Sequence, residues 1–132
     1  MYEVHGWFGL AESTMDDDDP VFARELDELR RLVDRQRWPY TLKVTIAAFN
    51  GEHFLTITGA ANRRRDEAEF VAEVLEQVRR RLPGSWGLLH ERDDDVANSF
   101  RVTRLARGEL SYHEDVLLSP CVPVIEDRWS SE

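Results

Sequence analysis

Side chains able to hold a metal ion are few and are spread along the chain. The sequence has four histidines and one cysteine, and no two histidines show the i, i+4 spacing of a helical zinc site. His90 and His113 each precede an acidic residue, but neighbouring residues on a strand point to opposite faces. The run that begins at Asp93 lacks the central glycine of a calcium loop. We therefore expect no metal ion and no other cofactor.

A nucleophilic site requires a serine or cysteine within hydrogen-bond reach of a base. Cys121 is the single thiol, and His113 is the histidine nearest to it in the sequence. The chain contains no Gly-x-Ser-x-Gly elbow and no glycine-rich phosphate loop. Prolines and aliphatic residues surround Cys121, which favours a small buried hydrophobic side chain. We expect no enzymatic activity, and a small hydrolase that uses His113, Asp115 and Cys121 is the alternative.

The acidic residues stand in runs, within a chain of formal charge −9. The runs occupy positions 16–19, 93–95, 114–115 and 126–127, where the sequence predicts loops or the ends of elements. Acidic surfaces of this kind repel nucleic acid and attract basic proteins. Two arginine runs, at 63–65 and 79–81, are expected to pair with neighbouring acids. The charge pattern thus predicts a protein partner and no binding of nucleic acid.

The first acidic run also has a structural explanation. Asp19 suits an N-cap and Pro20 suits the first position of a helix, whose positive end is stabilised by preceding aspartates. This explanation does not exclude a binding role. Residues 93–95 are expected in a loop with no helix end beside it, so they are the leading acidic candidate.

Length and composition indicate one soluble globular domain that spans 1–132. The chain is 42% hydrophobic and 33% charged, which is ordinary for a folded domain and unlike a disordered segment. No apolar stretch approaches the roughly 20 residues needed to cross a bilayer, and the N-terminus does not resemble a signal peptide. A lone cysteine is typical of a reducing compartment. We therefore expect a cytoplasmic protein without a membrane partner.

Hydrophobic periodicity predicts an α+β fold. Residues 2–10 alternate as a half-buried strand, and residues 20–37 and 66–82 have helical periodicity. Two alternating runs around Asn50-Gly51 predict a hairpin. Further strands are expected at 86–91, 100–106 and 109–118, followed by an extended tail to residue 127. The order β-α-β-β-α-β-β favours a mostly antiparallel sheet of five or so strands, with two helices packed on one face.

This arrangement separates a core from an open sheet face. The predicted core consists of Val4, Phe8, Phe22, Leu26, Leu29, Val44, Ile46, Val74 and Val78. On the opposite face the alternation places His5, Trp7 and Thr45. An exposed tryptophan there is a good anchor for a partner; the alternative is that the C-terminal tail covers Trp7. The binding candidates are accordingly His5, Trp7, Asp16, Asp17, Asp18, Trp86, Asp93, Asp94 and Asp95.

Four short motifs stand in order along the chain: His-Gly-Trp at 5–7, Gly-Leu-Leu-His-Glu-Arg-Asp-Asp at 87–94, Leu-Ala-Arg-Gly at 105–108 and Leu-Ser-Pro-Cys-Val-Pro-Val-Ile-Glu-Asp at 118–127. Taken together, they resemble the immunity protein 7 family of bacterial polymorphic-toxin systems. The resemblance covers roughly residues 2–8 and 86–127. It implies a small α+β cytoplasmic protein that binds and neutralises a toxin, without identifying that toxin or the binding residues.

The function predicted from the sequence is therefore that of an immunity protein, in which an acidic surface steers a basic toxin domain. Complementary charge speeds association, and buried aromatic side chains supply the anchoring. Besides the small hydrolase, a non-catalytic adaptor domain is the remaining alternative. The oligomeric state is not predicted.

Overall fold

The computed structural model describes residues 1–12, 20–62 and 66–118. These residues form six strands and two helices, numbered here in chain order: β1 (Tyr2–Gly9), α1 (Pro20–Arg35), β2 (Leu42–Phe49), β3 (Glu52–Ala61), α2 (Glu67–Arg81), β4 (Trp86–Asp93), β5 (Arg101–Ala106) and β6 (Glu109–Glu114). The α+β class and the order predicted from the sequence are confirmed, and the three strands expected after α2 are β4, β5 and β6.

Each helix buries a stripe of aliphatic side chains at helical spacing. In α1, which begins at Pro20 as predicted, the buried residues are Leu26, Leu29 and Val33. In α2 the buried aliphatic residues are Val71, Val74, Leu75 and Val78. Acidic residues in the first turn of α2 and three arginines in its last turn suit the helix dipole. Both stripes join a single hydrophobic cluster, so both helices pack on the same face of the sheet.

Two tight hairpins connect neighbouring strands. Asn50 and Gly51, between β2 and β3, have φ values of 52° and 81°. Arg107 and Gly108, between β5 and β6, have φ values of 53° and 73°. Positive φ at both central residues defines a type I′ turn, whose twist matches that of antiparallel strands. The Asn-Gly hairpin predicted from the sequence is therefore confirmed.

The sheet is entirely antiparallel and has the strand order β2-β3-β1-β4-β5-β6. β1 is an interior strand, paired with β3 on one side and β4 on the other. Seven of the nine predicted core residues are buried, and Phe22 and Ile46 pack against that core while partly exposed. The face of the sheet opposite the helices, here called the open face, carries the alternate residues of each strand.

Two predicted strand boundaries were wrong. β4 continues to Asp93 instead of ending at residue 91, because Tyr2 and Glu3 of β1 pair with Asp93 and Arg92. β6 ends at Glu114 instead of residue 118. After it, the Asp115 carboxylate accepts the backbone N–H groups of Leu117 and Leu118, a local turn that replaces strand pairing.

Several sequence predictions fall on residues 13–19, 63–65 and 119–132, which are outside the described part of the chain. They are the cap at Asp19, the binding candidates Asp16, Asp17 and Asp18, the residue Cys121, and the tail expected to pack on the body. The proposed cover of Trp7 by that tail also lies there. In the described ranges, no helix has the length and apolar character required to span a bilayer.

Candidate functional site

Trp7 and Trp86 form an exposed pair on the open face. Trp7 of β1 is 44% exposed and Trp86 of β4 is 49% exposed. Their ring centroids are 5.7 Å apart and their planes meet at 82°, an edge-to-face contact. Trp7 lies opposite Leu88, two residues along β4 from Trp86, so the two indoles are diagonal neighbours. The sequence had identified both tryptophans, and the strand pairing brings them together.

Gly9 provides the space in which Trp86 lies. The two residues are directly opposite in the β1–β4 pairing. A Cβ atom at Gly9 would lie 2.6 Å from Cε2 and Cζ2 of the indole. The indole therefore covers the bare backbone of Gly9, and its position depends on the absence of a side chain there.

Three histidines share one row across the open face, which sequence reasoning missed. His5 lies opposite His90, His90 opposite Val102, and Val102 opposite His113. Only the pairing of β1 with β4 and of β5 with its neighbours brings them into register. Alternation along each strand gave the face of His5 but not its neighbours.

The partners of these histidines are not those of a metal site. The ring of Phe100 packs edge-on against both His5 and His90, with centroids 6.3 and 6.2 Å apart. His5 hydrogen-bonds to Glu3 at 2.8 Å, and His113 hydrogen-bonds to the Ser111 hydroxyl at 2.9 Å. Aromatic packing and local hydrogen bonds are therefore the interactions that these three histidines make.

The acidic run 93–95 is less free than the sequence suggested. Asp93 is the last residue of β4, not a loop residue, and one of its carboxylate oxygens accepts the backbone N–H of Asp95. Asp94 forms an ion pair with the N-terminal amine of Met1, and this hydrogen bond lowers the pKa of the Asp94 carboxyl. Asp95 is exposed. We call residues 93–95 the acidic turn.

The acidic turn is also the group of carboxylates best placed for a cation. One carboxylate oxygen from each of its three aspartates lies within 4.8 Å of the others, and no other group of three such ligands occurs among the described residues. Asp94 is already paired with the Met1 amine, and Arg92 lies 3.9 Å from its other oxygen. Neighbouring cations of the protein therefore already neutralise part of this charge.

A buried arginine holds the acidic turn against β1. The Arg92 side chain is 4% exposed, and its guanidinium donates to the Glu3 carboxylate at 2.7 and 3.1 Å and to Asn98 at 3.3 Å. Burial alone would raise the pKa of Glu3, but hydrogen bonds from His5 and Arg92 outweigh it and lower that pKa below 4.5. This charged pair joins the start of β1 to the end of β4.

A pocket of about 390 Å³ opens beside the acidic turn, at the ends of β4, β5 and β6. Its wall includes the carboxylates Glu91, Asp93 and Glu114, the guanidinium of Arg101 and the ring of Tyr112. Glu91, Arg101 and Glu114 stand side by side across three strands. We call this cavity the end pocket; it could not be predicted from the sequence, because its walls come from β1, β4, β5, β6 and the connection between β4 and β5.

The residues of the alternative hydrolase have structural partners where they are described. His113 is hydrogen-bonded to the Ser111 hydroxyl, and the Asp115 carboxylate accepts hydrogen bonds from two backbone N–H groups. Cys121, the nucleophile in that alternative, lies outside the described residues. The described geometry thus gives His113 and Asp115 local roles in β6 and in the turn after it.

Comparison with known protein families assigns the chain to a family. The family described as Immunity protein 7 matches residues 1–127 of the 132. No curated protein and no solved structure matches the chain. The family match spans both helices and the six strands, and it includes the tryptophan pair and the acidic turn. It implies an immunity protein against a bacterial toxin. The chain belongs to the immunity protein 7 family.

Proposed function

We propose that this immunity protein neutralises its toxin by binding it directly, with the acidic turn steering a basic toxin domain and the tryptophan pair anchoring it. Family membership supplies the toxin as partner. The division of roles follows from physical chemistry: charges in water accelerate encounter, whereas desolvated aromatic rings hold a complex together.

The tryptophan pair carries this proposal. Two indoles in contact, each about half exposed, leave a large apolar area in water on a sheet face that the helices do not cover. Tryptophan is enriched among the residues that dominate binding energy. The edge-to-face contact also limits the rotamers of both rings, so little side-chain entropy remains to be lost on binding.

The acidic turn lies within reach of the same partner. Trp86 and Asp93 begin and end β4, so they are separated by about 23 Å at about 3.3 Å per residue. A typical interface buries about 800 Å² on each partner, which corresponds to a patch about 32 Å across. A toxin domain that covers the tryptophan pair and extends past the end of β4 can therefore contact the acidic turn.

The test is binding of the cognate toxin domain, which we expect at the C-terminus of the protein encoded by the neighbouring upstream gene. We expect Trp7→Ala and Trp86→Ala each to weaken binding about 30-fold, the loss typical of a residue worth about 2 kcal/mol. Tyr40→Ala is the matched control, since Tyr40 is a fully exposed aromatic residue in the connection before β2. Binding is measured by calorimetry, and protection by survival of cells that express the toxin domain.

The proposal fails if wild-type protein does not bind the toxin domain or does not protect the cells. It also fails if both tryptophan variants bind as tightly as Tyr40→Ala. Thermal melting of each variant separates loss of binding from loss of folding, because half-exposed side chains contribute little to the core.

A further inference from the structure

We propose that the end pocket receives an arginine side chain of the toxin domain. This inference rests on the proposed function and makes it specific, since it assigns a second anchoring point and the chemistry of the group that enters it. At about 390 Å³ the cavity falls in the range of pockets that hold small ligands, about 300–1,000 Å³.

The pocket already binds one guanidinium, which belongs to the protein itself. Nη2 of Arg101 donates to the Glu91 carboxylate at 2.9 Å, and its Cζ lies 5.2 Å from the centre of the Tyr112 ring. A carboxylate beside an aromatic face is the environment that suits a planar, weakly hydrated guanidinium better than an ammonium. The walls therefore have the chemistry of an arginine site.

The pocket has more carboxylates than Arg101 alone can pair with. The two oxygens of Glu91 are taken by Arg101 and by the Tyr2 hydroxyl, which donates at 2.6 Å. Glu114, next to Arg101 on the neighbouring strand, forms no ion pair within the described part of the chain. Three carboxylates and one guanidinium line the pocket, so negative charge exceeds positive charge in its walls.

A second arginine would neutralise part of the remaining negative charge and stack on the aromatic ring of the pocket. Its guanidinium can bind Glu114 and Asp93, while its stem lies along Tyr112, which is 61% exposed. The adjoining acidic turn adds negative charge at the mouth, which favours entry of a cation. The ligand chemistry is thus an arginine on the basic surface of the toxin domain.

The test compares two glutamates of one strand. Glu114 ends β6 and lines the pocket, whereas Glu109 begins β6 and does not. We expect Glu114→Gln to weaken binding of the upstream-encoded toxin domain at least about tenfold, mainly through faster dissociation. Glu109→Gln removes the same charge and should change affinity less than about twofold. Association and dissociation rates are measured by surface plasmon resonance.

Tyr112 provides a second readout that net charge cannot mimic. Tyr112→Phe keeps the aromatic face and should bind like wild type, whereas Tyr112→Ala should dissociate several-fold faster. The pocket proposal is overturned if Glu114→Gln and Glu109→Gln behave alike, or if Tyr112→Ala dissociates at the wild-type rate. In either result the wild type still binds, so the proposed function stands; absence of wild-type binding removes both.

Discussion

At the scale of single residues, Gly9 shows how a missing side chain shapes a binding surface. Trp86 occupies the space where a Cβ atom of residue 9 would lie. Both residues belong to strands whose pairing is fixed by eight successive cross-strand partners. The backbone cannot move away without disturbing that pairing, so a new methyl group would displace the indole instead.

We expect Gly9→Ala to cost about 1 kcal/mol of stability and to weaken toxin binding about as much as Trp86→Ala does. The matched measurement is a double-mutant cycle with Trp86→Leu, in which the indole is already gone. Adding Gly9→Ala to that variant should have almost no further effect on affinity. Equal losses in both backgrounds would mean that Gly9 acts through the backbone and not through Trp86.

Glu3 predicts how stability changes with pH. Its pKa is lowered in the folded protein, because the stabilising hydrogen bonds from His5 and Arg92 exceed the cost of burial. A carboxyl with a depressed pKa contributes stability above its unfolded value, and this is lost as pH falls through the folded value. The protein should therefore be insensitive to pH above about 5.5 through this group and lose stability below its ordinary pKa of 4.5.

Thermal melting from pH 7 to pH 3 checks this expectation. Glu3→Gln should be less stable at pH 7 and should show a smaller further loss toward pH 3. Glu109→Gln serves as the control, since Glu109 is exposed at the start of β6, and it should follow the wild-type curve. Coincident curves for wild type and Glu3→Gln would show that the Glu3–Arg92 pair adds no stability.

At the scale of elements, local patterns predicted most of the fold. The Asn50-Gly51 turn requires positive φ at both residues, and the sequence offers the two residue types that adopt it best. Helix α2 has both an apolar stripe and charges that suit its dipole. Each of these signals lies within a segment of about 15 residues, so it can be recognised without knowledge of the fold.

The strand end that was predicted wrongly, at β4, depends on pairing with a strand distant in the sequence. β4 reaches Asp93 because the start of β1 pairs with it, and those residues are about 90 positions apart in the sequence. The same pairing brings Trp7 to Trp86 and His5 to His90. Alternation gave the face on which each side chain lies, but not which strand lies beside it. The candidate tryptophans were therefore predictable, whereas their contact and the end pocket were not.

At the scale of the whole molecule, the two candidate surfaces lie at opposite ends of β4. The tryptophan pair is at its start, on the open face. The acidic turn and the end pocket, which share Asp93, are at its finish, and Glu91, Arg101, Tyr112 and Glu114 of the pocket lie on the helix side of the sheet. Apolar anchoring and negative charge are thus separated, and each can be altered without changing the other. This separation makes electrostatic steering testable by itself.

Replacing the three aspartates of the acidic turn by asparagine should slow association with the upstream-encoded toxin domain about tenfold at low salt. The reason is that steering acts before contact, through the field of exposed charges, and is screened by ions. A matched variant removes three exposed acids from the helices: Asp27→Asn, Asp34→Asn and Glu73→Gln. It removes the same number of negative charges and should slow association much less.

The decisive measurement is the association rate as a function of salt. Wild type should slow steeply as salt rises, the acidic-turn variant should depend on salt only weakly, and their rates should converge near 1 M, where the screening length is about 3 Å. If the helix variant slows association as much as the acidic-turn variant, net charge alone attracts the toxin. Because Asp94 also pairs with Met1, the single variant Asp95→Asn should reproduce the direction of the effect without touching that contact.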